Sequence, residues 1–194
     1  TLEPRPDTEV LLDTLLPELK KAISAKGSAR ILEMGTGTGA ICLALLKECP
    51  DATGIGSDIS ADALETAARN AARNDLGARF ETIRSDWFEK ISGSFDIIVS
   101  NPPYIRTDIV ATLDQEVRNH DPMAALDGGQ DGLAPYRLIA ADAGRFLVEN
   151  GIVGVEIGFD QRLDVSAIFA SHGFSLLDAV KDYGGNDRVL TFRR

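Results

Sequence analysis

Short apolar runs and helically spaced apolar positions alternate along almost the whole chain. Arg30–Gly35 is an apolar run stopped by glycine, and in Ala40–Cys49 the residues Ile41, Leu43, Ala44, Leu45 and Leu46 fall at helical spacing. Thr53–Ile59 reads as a second strand. Ser60 is then placed to cap a helix carrying Ala63, Leu64, Ala67, Ala68, Ala71 and Ala72. Phe80–Ser85 and Phe95–Ser100 give the third and fourth strands. A long helix is expected over Ala134–Glu149, ending near Asn150-Gly151. Ile152–Ile157 follows as a fifth strand, Leu163–Ser171 as a helix, and Ser175–Val180 and Arg188–Phe192 as the last two strands. This order predicts an α/β fold: a mostly parallel, twisted, seven-stranded sheet with helices on both faces, Rossmann-like in plan. The least regular stretch, Ile105–Gly132, is long for a connection within one domain, and such loops are usually functional.

A chain of 194 residues suits a single domain, here taken as 1–194, with an ordinary 44% hydrophobic and 26% charged residues. It has no apolar run long enough to cross a bilayer and no visible signal peptide, and it starts at Thr1 rather than Met, which implies that an upstream segment was removed or not included. The 20 Lys and Arg against 30 Asp and Glu give a formal charge of −10, which argues against a phosphate backbone as partner. The two cysteines, Cys42 and Cys49, lack zinc-ligand spacing and read as buried, reduced core residues, so a cytoplasmic protein is expected.

The chemistry begins in the loop Glu33-Met34-Gly35-Thr36-Gly37-Thr38-Gly39-Ala40, between the first strand and first helix. Its glycines permit a tight turn and close backbone approach to a ligand, and the helix behind it presents free amides. Taken alone, the loop matches both a dinucleotide fingerprint and an S-adenosylmethionine loop. Asp58, with Ile59 beside it, ends the second strand, where a carboxylate can accept from both hydroxyls of a ribose. Asp86 ends the third strand and can accept from the exocyclic amine of adenine, with Trp87 as an apolar wall or a core aromatic. Two acidic strand ends after a glycine loop favour an adenosyl ligand.

The most specific motif is Asn101-Pro102-Pro103-Tyr104, directly after the fourth strand. In a doubly wound sheet that strand can neighbour the first, which puts both motifs on one carboxyl edge. An amide nitrogen is a poor nucleophile because its lone pair is delocalised. An enzyme can hold both N–H groups with acceptors and stabilise the charge that develops on nitrogen. The Asn101 side-chain oxygen and the Pro102 carbonyl are suited to be those acceptors. Pro102 and Pro103 fix their own φ and bias their predecessors toward extended geometry, and Tyr104 can lie against a planar acceptor group.

With these residues in view, the chain resembles the amino-methyltransferases of exocyclic or amide nitrogens and, within them, the release-factor glutamine methyltransferases (the HemK/PrmC family). The likeness runs from Pro4-Arg5-Pro6-Asp7-Thr8-Glu9 through the glycine loop, Ser85-Asp86-Trp87-Phe88 and Ser100-Asn101-Pro102-Pro103-Tyr104-Ile105. It continues in Ala125-Leu126-Asp127-Gly128-Gly129, Asp131-Gly132-Leu133, Tyr136-Arg137 and Asp182-Tyr183-Gly184-Gly185-Asn186-Asp187-Arg188-Val189. The resemblance implies a class I methyltransferase fold and S-adenosylmethionine as donor, with S-adenosylhomocysteine as product. The acceptor it implies is the glutamine of the Gly-Gly-Gln tip of peptide-chain release factors. It carries over Gly35, Thr36, Gly37, Asp58, Asp86 and Trp87 as cofactor contacts, Asn101, Pro102 and Tyr104 as the acceptor site, and Arg5-Pro6 as a lining of the pocket entrance. His120-Asp121-Pro122 stands where the family usually has Tyr-Glu-Pro. The family's helical N-terminal docking domain is, on this likeness, missing from the chain.

Three other functions share part of this pattern: adenine methylation on nucleic acid, glutamine methylation of a ribosomal protein, and nicotinamide-dependent oxidoreduction. A non-catalytic S-adenosylmethionine-binding module is a fourth. His120 and His172 are far apart without carboxylate or cysteine at ligand spacing, so no metal is expected. Glu156 either faces the crevice or is a solvated strand end, Arg188 is expected to pair with a carboxylate near the last strands, and Asp7 and Glu9 are placed as early-helix acids.

Overall fold

The computed structural model describes residues 6–112 and 125–194, with side chains from Thr8 onward. Helix α1 spans Pro6–Lys26, with Asp7 and Glu9 in its first turn, where the helix dipole favours acids. Leu11, Leu15 and Leu19 recur every four residues and are fully buried, whereas Pro17 lies on the exposed side, where the carbonyl it leaves unbonded meets water. Strand β1 (Ala29–Met34) leads into α2 (Ala40–Glu48), β2 (Ala52–Asp58), α3 (Ala61–Arg73), β3 (Phe80–Arg84) and β4 (Phe95–Ser100). The Ser60 hydroxyl caps α3 as expected, accepting the Ala63 N–H at 3.3 Å.

A single turn, α4 (Thr107–Val110), precedes α5 (Ala134–Asp142) and a 3₁₀ turn over Ala143–Arg145. Strand β5 (Leu147–Glu156), α6 (Arg162–Ser171), β6 (Ser175–Lys181) and β7 (Asp187–Arg193) complete the chain. The sheet has seven strands in the order β3-β2-β1-β4-β5-β7-β6, parallel except for β7, which is antiparallel to both β5 and β6. The expected mostly parallel architecture is therefore the observed one.

One expected element is wrong. The helix proposed for Ala134–Glu149 stops at Asp142, and β5 begins five residues ahead of its expected start. The Phe95 N–H donates to Phe146 O at 2.7 Å and Leu147 pairs with Phe95, while the Phe146 ring stacks on Phe88 at 4.9 Å. Strand addition and aromatic packing thus override helical spacing, and Gly144 weakens the helix locally. Asn150, at φ 64°, and Gly151 lie where β5 shifts register between Phe95 and Ile97, so the Asn-Gly signal marks an irregular strand rather than a helix stop.

Strand β4 is buried at every position because helices cover both faces of the sheet. Ile97 and Val99 join the core under α1 and α2; Phe95 and Ile98 join the opposite core under α5 and α6. The positioning consequence is at the sheet centre. After β1 the chain winds toward β2 and β3, and from β4 it winds the other way. Met34 pairs with Ser100, whose hydroxyl donates to Met34 O at 2.9 Å. Gly35 and Asn101 therefore leave neighbouring strands at a topological switch point, where open α/β sheets bind ligands.

Candidate active site

The glycine loop turns through left-handed backbone conformations that other residues rarely adopt. Gly35, Gly37 and Gly39 have φ of 64°, 53° and 80°. A methyl group added at Gly35 would meet nothing within 4 Å, so the loop is open on its outer side. Its inner side is tied down. Thr36 N–H donates to Ser57 O at 2.9 Å, and Asn70 Nδ2 donates to Thr38 O at 2.9 Å. The Asp58 carboxylate accepts the Gly37 N–H at 3.0 Å on one oxygen and the Ser60 N–H at 2.9 Å on the other. Asp58 thus organises the loop itself, and each oxygen keeps a further lone pair toward the cavity.

Beneath the loop, Glu33 is 2% exposed and accepts the Thr36 hydroxyl at 2.7 Å and the Cys42 N–H at 3.2 Å. Burial pushes its carboxyl from the ordinary 4.5 up to about 7, opposed by the hydrogen bonds from Thr36, Cys42 and Ile41 and assisted by the charge of Asp58. Because the folded value is raised, the fold binds this proton more tightly than the unfolded chain does. The stability it contributes is complete below about pH 4.5 and is lost as pH rises through 7. Linkage bounds that loss at about 3 kcal/mol. Glu33→Gln is expected to remove this slope. In denaturant melts at pH 5 and pH 8, the wild type should lose about 2–3 kcal/mol relative to the variant on going to pH 8; parallel pH profiles would refute the assignment.

Cys42 and Cys49 are both buried and unpaired, as the sequence implies, and burial raises the Cys42 thiol well above its ordinary value. At the end of β3, Asp86 is exposed and Trp87 half-buried. Trp87 adopts φ 44°, unusual for a bulky residue, and the turn is held by Ser85, whose hydroxyl donates to Trp87 O at 2.8 Å and accepts the Lys90 N–H at 3.0 Å. Trp87 is both core aromatic and cavity wall, packing on the core under α5 while facing the opening.

One cavity of about 900 Å³ gathers these groups. Of the residues singled out from the sequence, Glu33, Gly35, Thr36, Gly37, Thr38, Asp58, Ile59, Asp86, Trp87, Asn101 and Pro103 line it. Gly39 instead packs against α3, where an added methyl would sit 3.2 Å from Ala67 Cβ. Pro102 is buried behind the lining, and Tyr104 packs half-buried on the core under α5. Arg5 and His120-Asp121-Pro122 lie outside the described residues, as does the side chain of Pro6. Thr8, two residues on, does line the cavity. Its hydroxyl donates to Glu156 Oε2 at 3.0 Å, so Glu156, 3% exposed, is a buried anchor and not a solvated strand end.

The far wall comes from Ala125, Asp127, Gly128 and Gly129. This segment is stitched to the chain after the Asn-Pro-Pro-Tyr motif: Ile105 N–H donates to Leu126 O, Gly128 N–H to Ile105 O, and the Thr107 hydroxyl to Asp127 Oδ1 at 2.7 Å. A methyl at Gly128 would come within 2.8 Å of Pro103 O, which explains the glycine. Arg188 forms the expected ion pair, with Asp182 at 3.0 Å, and also donates to Ile157 O. Gln161, which no pattern in the sequence marks, donates from Nε2 to Tyr104 O and Gly132 O. Among the described residues, no group of three or more His, Cys, Asp or Glu could hold a metal ion, and no helix is long and apolar enough to cross a membrane.

Comparison with known proteins agrees with this geometry. The Methyltransferase small domain family matches residues 7–118. The chain is 91% identical over 194 residues to a release factor glutamine methyltransferase of Agrobacterium fabrum, covering all of this chain and 67% of that protein. It is 46% identical to the release factor glutamine methyltransferase of Caulobacter vibrioides, covering 97% of this chain and 64% of that one. It spans about two-thirds or less of the length of such relatives, with 58% for the one from Rhodospirillum rubrum. Two solved structures share the fold at a TM-score of 0.70. One is a ribosomal protein L11 methylase from Lactobacillus delbrueckii subsp. bulgaricus, 18% identical, covering 100% of this chain and 80% of that one. The other is a methyltransferase from Pyrococcus furiosus, 21% identical, covering 99% and 86%. A seven-stranded class I methyltransferase fold, a glycine loop with Asn101 and Pro103 on one cavity, and 91% identity along the whole chain together establish that this chain belongs to the release factor glutamine methyltransferase family.

Proposed function

We propose that the chain transfers a methyl group from S-adenosylmethionine to the side-chain amide nitrogen of the glutamine in the Gly-Gly-Gln motif of peptide-chain release factors. The observation that carries this reading is one cavity lined by the glycine loop after β1 and by Asn101 and Pro103 after the neighbouring β4. The names of the relatives support the same substrate. Release factors act where translation terminates, so the same proposal assigns the chain to the cytoplasm.

The residues present suit the donor. The loop backbone over Gly35–Gly37 is open to the cavity, Asp58 and Asp86 offer acceptors for ribose hydroxyls and an adenine amine, and Ile59 and Trp87 offer apolar walls. The cavity volume falls within the range that accommodates small-molecule ligands. S-adenosylmethionine, when bound, supplies a methyl carbon made electrophilic by its sulfonium. The protein's part is to hold the acceptor: Asn101 Oδ1 and Pro102 O take the two amide N–H groups and stabilise the positive charge that grows on nitrogen. The acceptor nitrogen held by Asn101 and Pro102 would supply the electron pair of the new N–C bond, and the sulfur would leave with the electrons of the C–S bond. The nitrogen becomes acidic as this proceeds, so its proton leaves to water without a strong base.

The test is methyl transfer from radiolabelled S-adenosylmethionine by the full-length protein, with a release factor, a ribosomal protein and RNA offered in parallel. Label is expected on the release factor and is expected to vanish when its Gly-Gly-Gln glutamine is changed. Label on RNA or on the ribosomal protein instead would overturn the substrate assignment.

A further inference from the structure

We infer that Gln161 is a positioning residue for the acceptor half of the site, an inference that rests on the reaction proposed above. Gln161 precedes α6 in the turn after β5 and is 8% exposed. Its Nε2 donates to Tyr104 O at 3.0 Å and to Gly132 O at 3.1 Å. Its Oε1 accepts the Gly158 N–H at 2.9 Å and lies 3.4 Å from the Tyr136 hydroxyl, whose shorter bond is to Glu156 O at 2.9 Å. Burial raises the Tyr136 phenol well above its ordinary value, so it remains a donor.

The partners fix the orientation of the amide, with nitrogen toward two carbonyls and oxygen toward the Gly158 N–H. No other side chain satisfies that set. Glutamate offers no donor when ionised, and leucine offers neither donor nor acceptor. One planar group therefore joins three segments distant in sequence: the acceptor motif, the loop that forms the far wall, and the end of β5. The close fit is independently visible at Gly132, φ 74°, where a methyl group would lie 2.5 Å from Tyr104 O and 2.8 Å from Gln161 Nε2. Among the described residues, Gln161 makes no hydrogen bond to the loops after β1, β2 and β3, where the donor is proposed to bind. Loss of its bonds removes a donor from the Tyr104 carbonyl, two residues from Pro102, and from the buried Gly132 carbonyl.

The test compares full-length wild type with Gln161→Leu and Gln161→Glu, measuring kcat on a release factor and, separately, S-adenosylhomocysteine affinity. Gln161→Leu is expected to lower kcat by about 10- to 100-fold, the scale of an ångström-sized misplacement, with S-adenosylhomocysteine affinity within about threefold. Gln161→Glu supplies a signature that mere loss of stability does not. Facing two carbonyls in a buried place, the new carboxyl has its pKa raised, and only its protonated form donates. Its kcat relative to wild type should therefore climb as pH falls from about 8 to about 6. The ionisable groups around this position are the flanking Asp160 and Arg162, Tyr136 and, through it, Tyr104, Glu156 and Arg188, all of them present in both proteins. Wild-type kcat in both variants, a parallel pH profile for Gln161→Glu, or equal losses of kcat and S-adenosylhomocysteine affinity would overturn the inference. A wild type that leaves the release factor unlabelled would instead refute the proposed reaction.

Discussion

Replacing Asn101 with alanine is expected to lower the single-turnover rate of methyl transfer by about 10²- to 10³-fold, the cost of removing one preorganised polar partner of a developing charge. Donor affinity should stay within about twofold. The split follows from where the residue sits. Asn101 is the first residue beyond β4, across from Gly35, because Ser100 pairs with Met34 and donates to its carbonyl. Pro102 and Pro103 then fix the direction of the chain, and the stitched loop over Leu126–Gly132 holds it from the other side. The acceptors proposed for ribose and adenine, Asp58 at the end of β2 and Asp86 after β3, are left alone by the substitution. Rapid-quench methyl transfer and calorimetric titration with S-adenosylhomocysteine measure the two quantities. An unchanged rate would refute the amide-clamp mechanism; an equal loss of rate and affinity would recast Asn101 as chiefly a donor ligand.

How much of this was legible in the sequence depended on whether the governing interactions were local. The buried parallel strands β1 and β4 announce themselves as apolar runs because both faces are covered, and the Ser60 cap depends only on a hydroxyl three residues from its donor. The placement of Asp58 and Asp86 on the cavity was legible because a strand end after a glycine loop is a position with a known geometric meaning. The end of α5 was not. Asn150-Gly151 signals a helix stop and a strand irregularity equally well, and the choice is made by Phe95 and Phe88, more than 50 residues away. Gln161 was invisible for the same reason, since its partners lie 29 and 57 residues distant and a lone glutamine carries no pattern. Glu33 was readable as a member of the loop, but its complete burial under Thr36 and Cys42 came only with the packing of α2.

Asp58 should give the opposite signature from Asn101. Asp58→Ala is expected to weaken S-adenosylhomocysteine binding by about 10²- to 10⁴-fold. Two charge-assisted hydrogen bonds to ribose hydroxyls, each contributing about 1.5–3 kcal/mol, would be removed together. A second effect acts in the same direction. The carboxylate also holds the Gly37 and Ser60 N–H groups, at 3.0 and 2.9 Å, so its loss frees a loop whose Gly37 sits at φ 53°. The ligand must then order that loop on binding. At saturating donor, however, the acceptor clamp at Asn101 and Pro102 is untouched, so the methyl-transfer rate should recover to within about threefold of wild type. A titration with NADH in parallel keeps the donor assignment open to refutation, because the same strand-end carboxylate would serve a nicotinamide dinucleotide. NADH bound more tightly than S-adenosylhomocysteine by the wild type, or an affinity change below about threefold in Asp58→Ala, would remove the adenosyl site from this end of the cavity. An affinity defect that saturating donor rescues, beside a rate defect in Asn101→Ala that it does not, would divide the cavity into a donor half built on β1–β3 and an acceptor half built on β4.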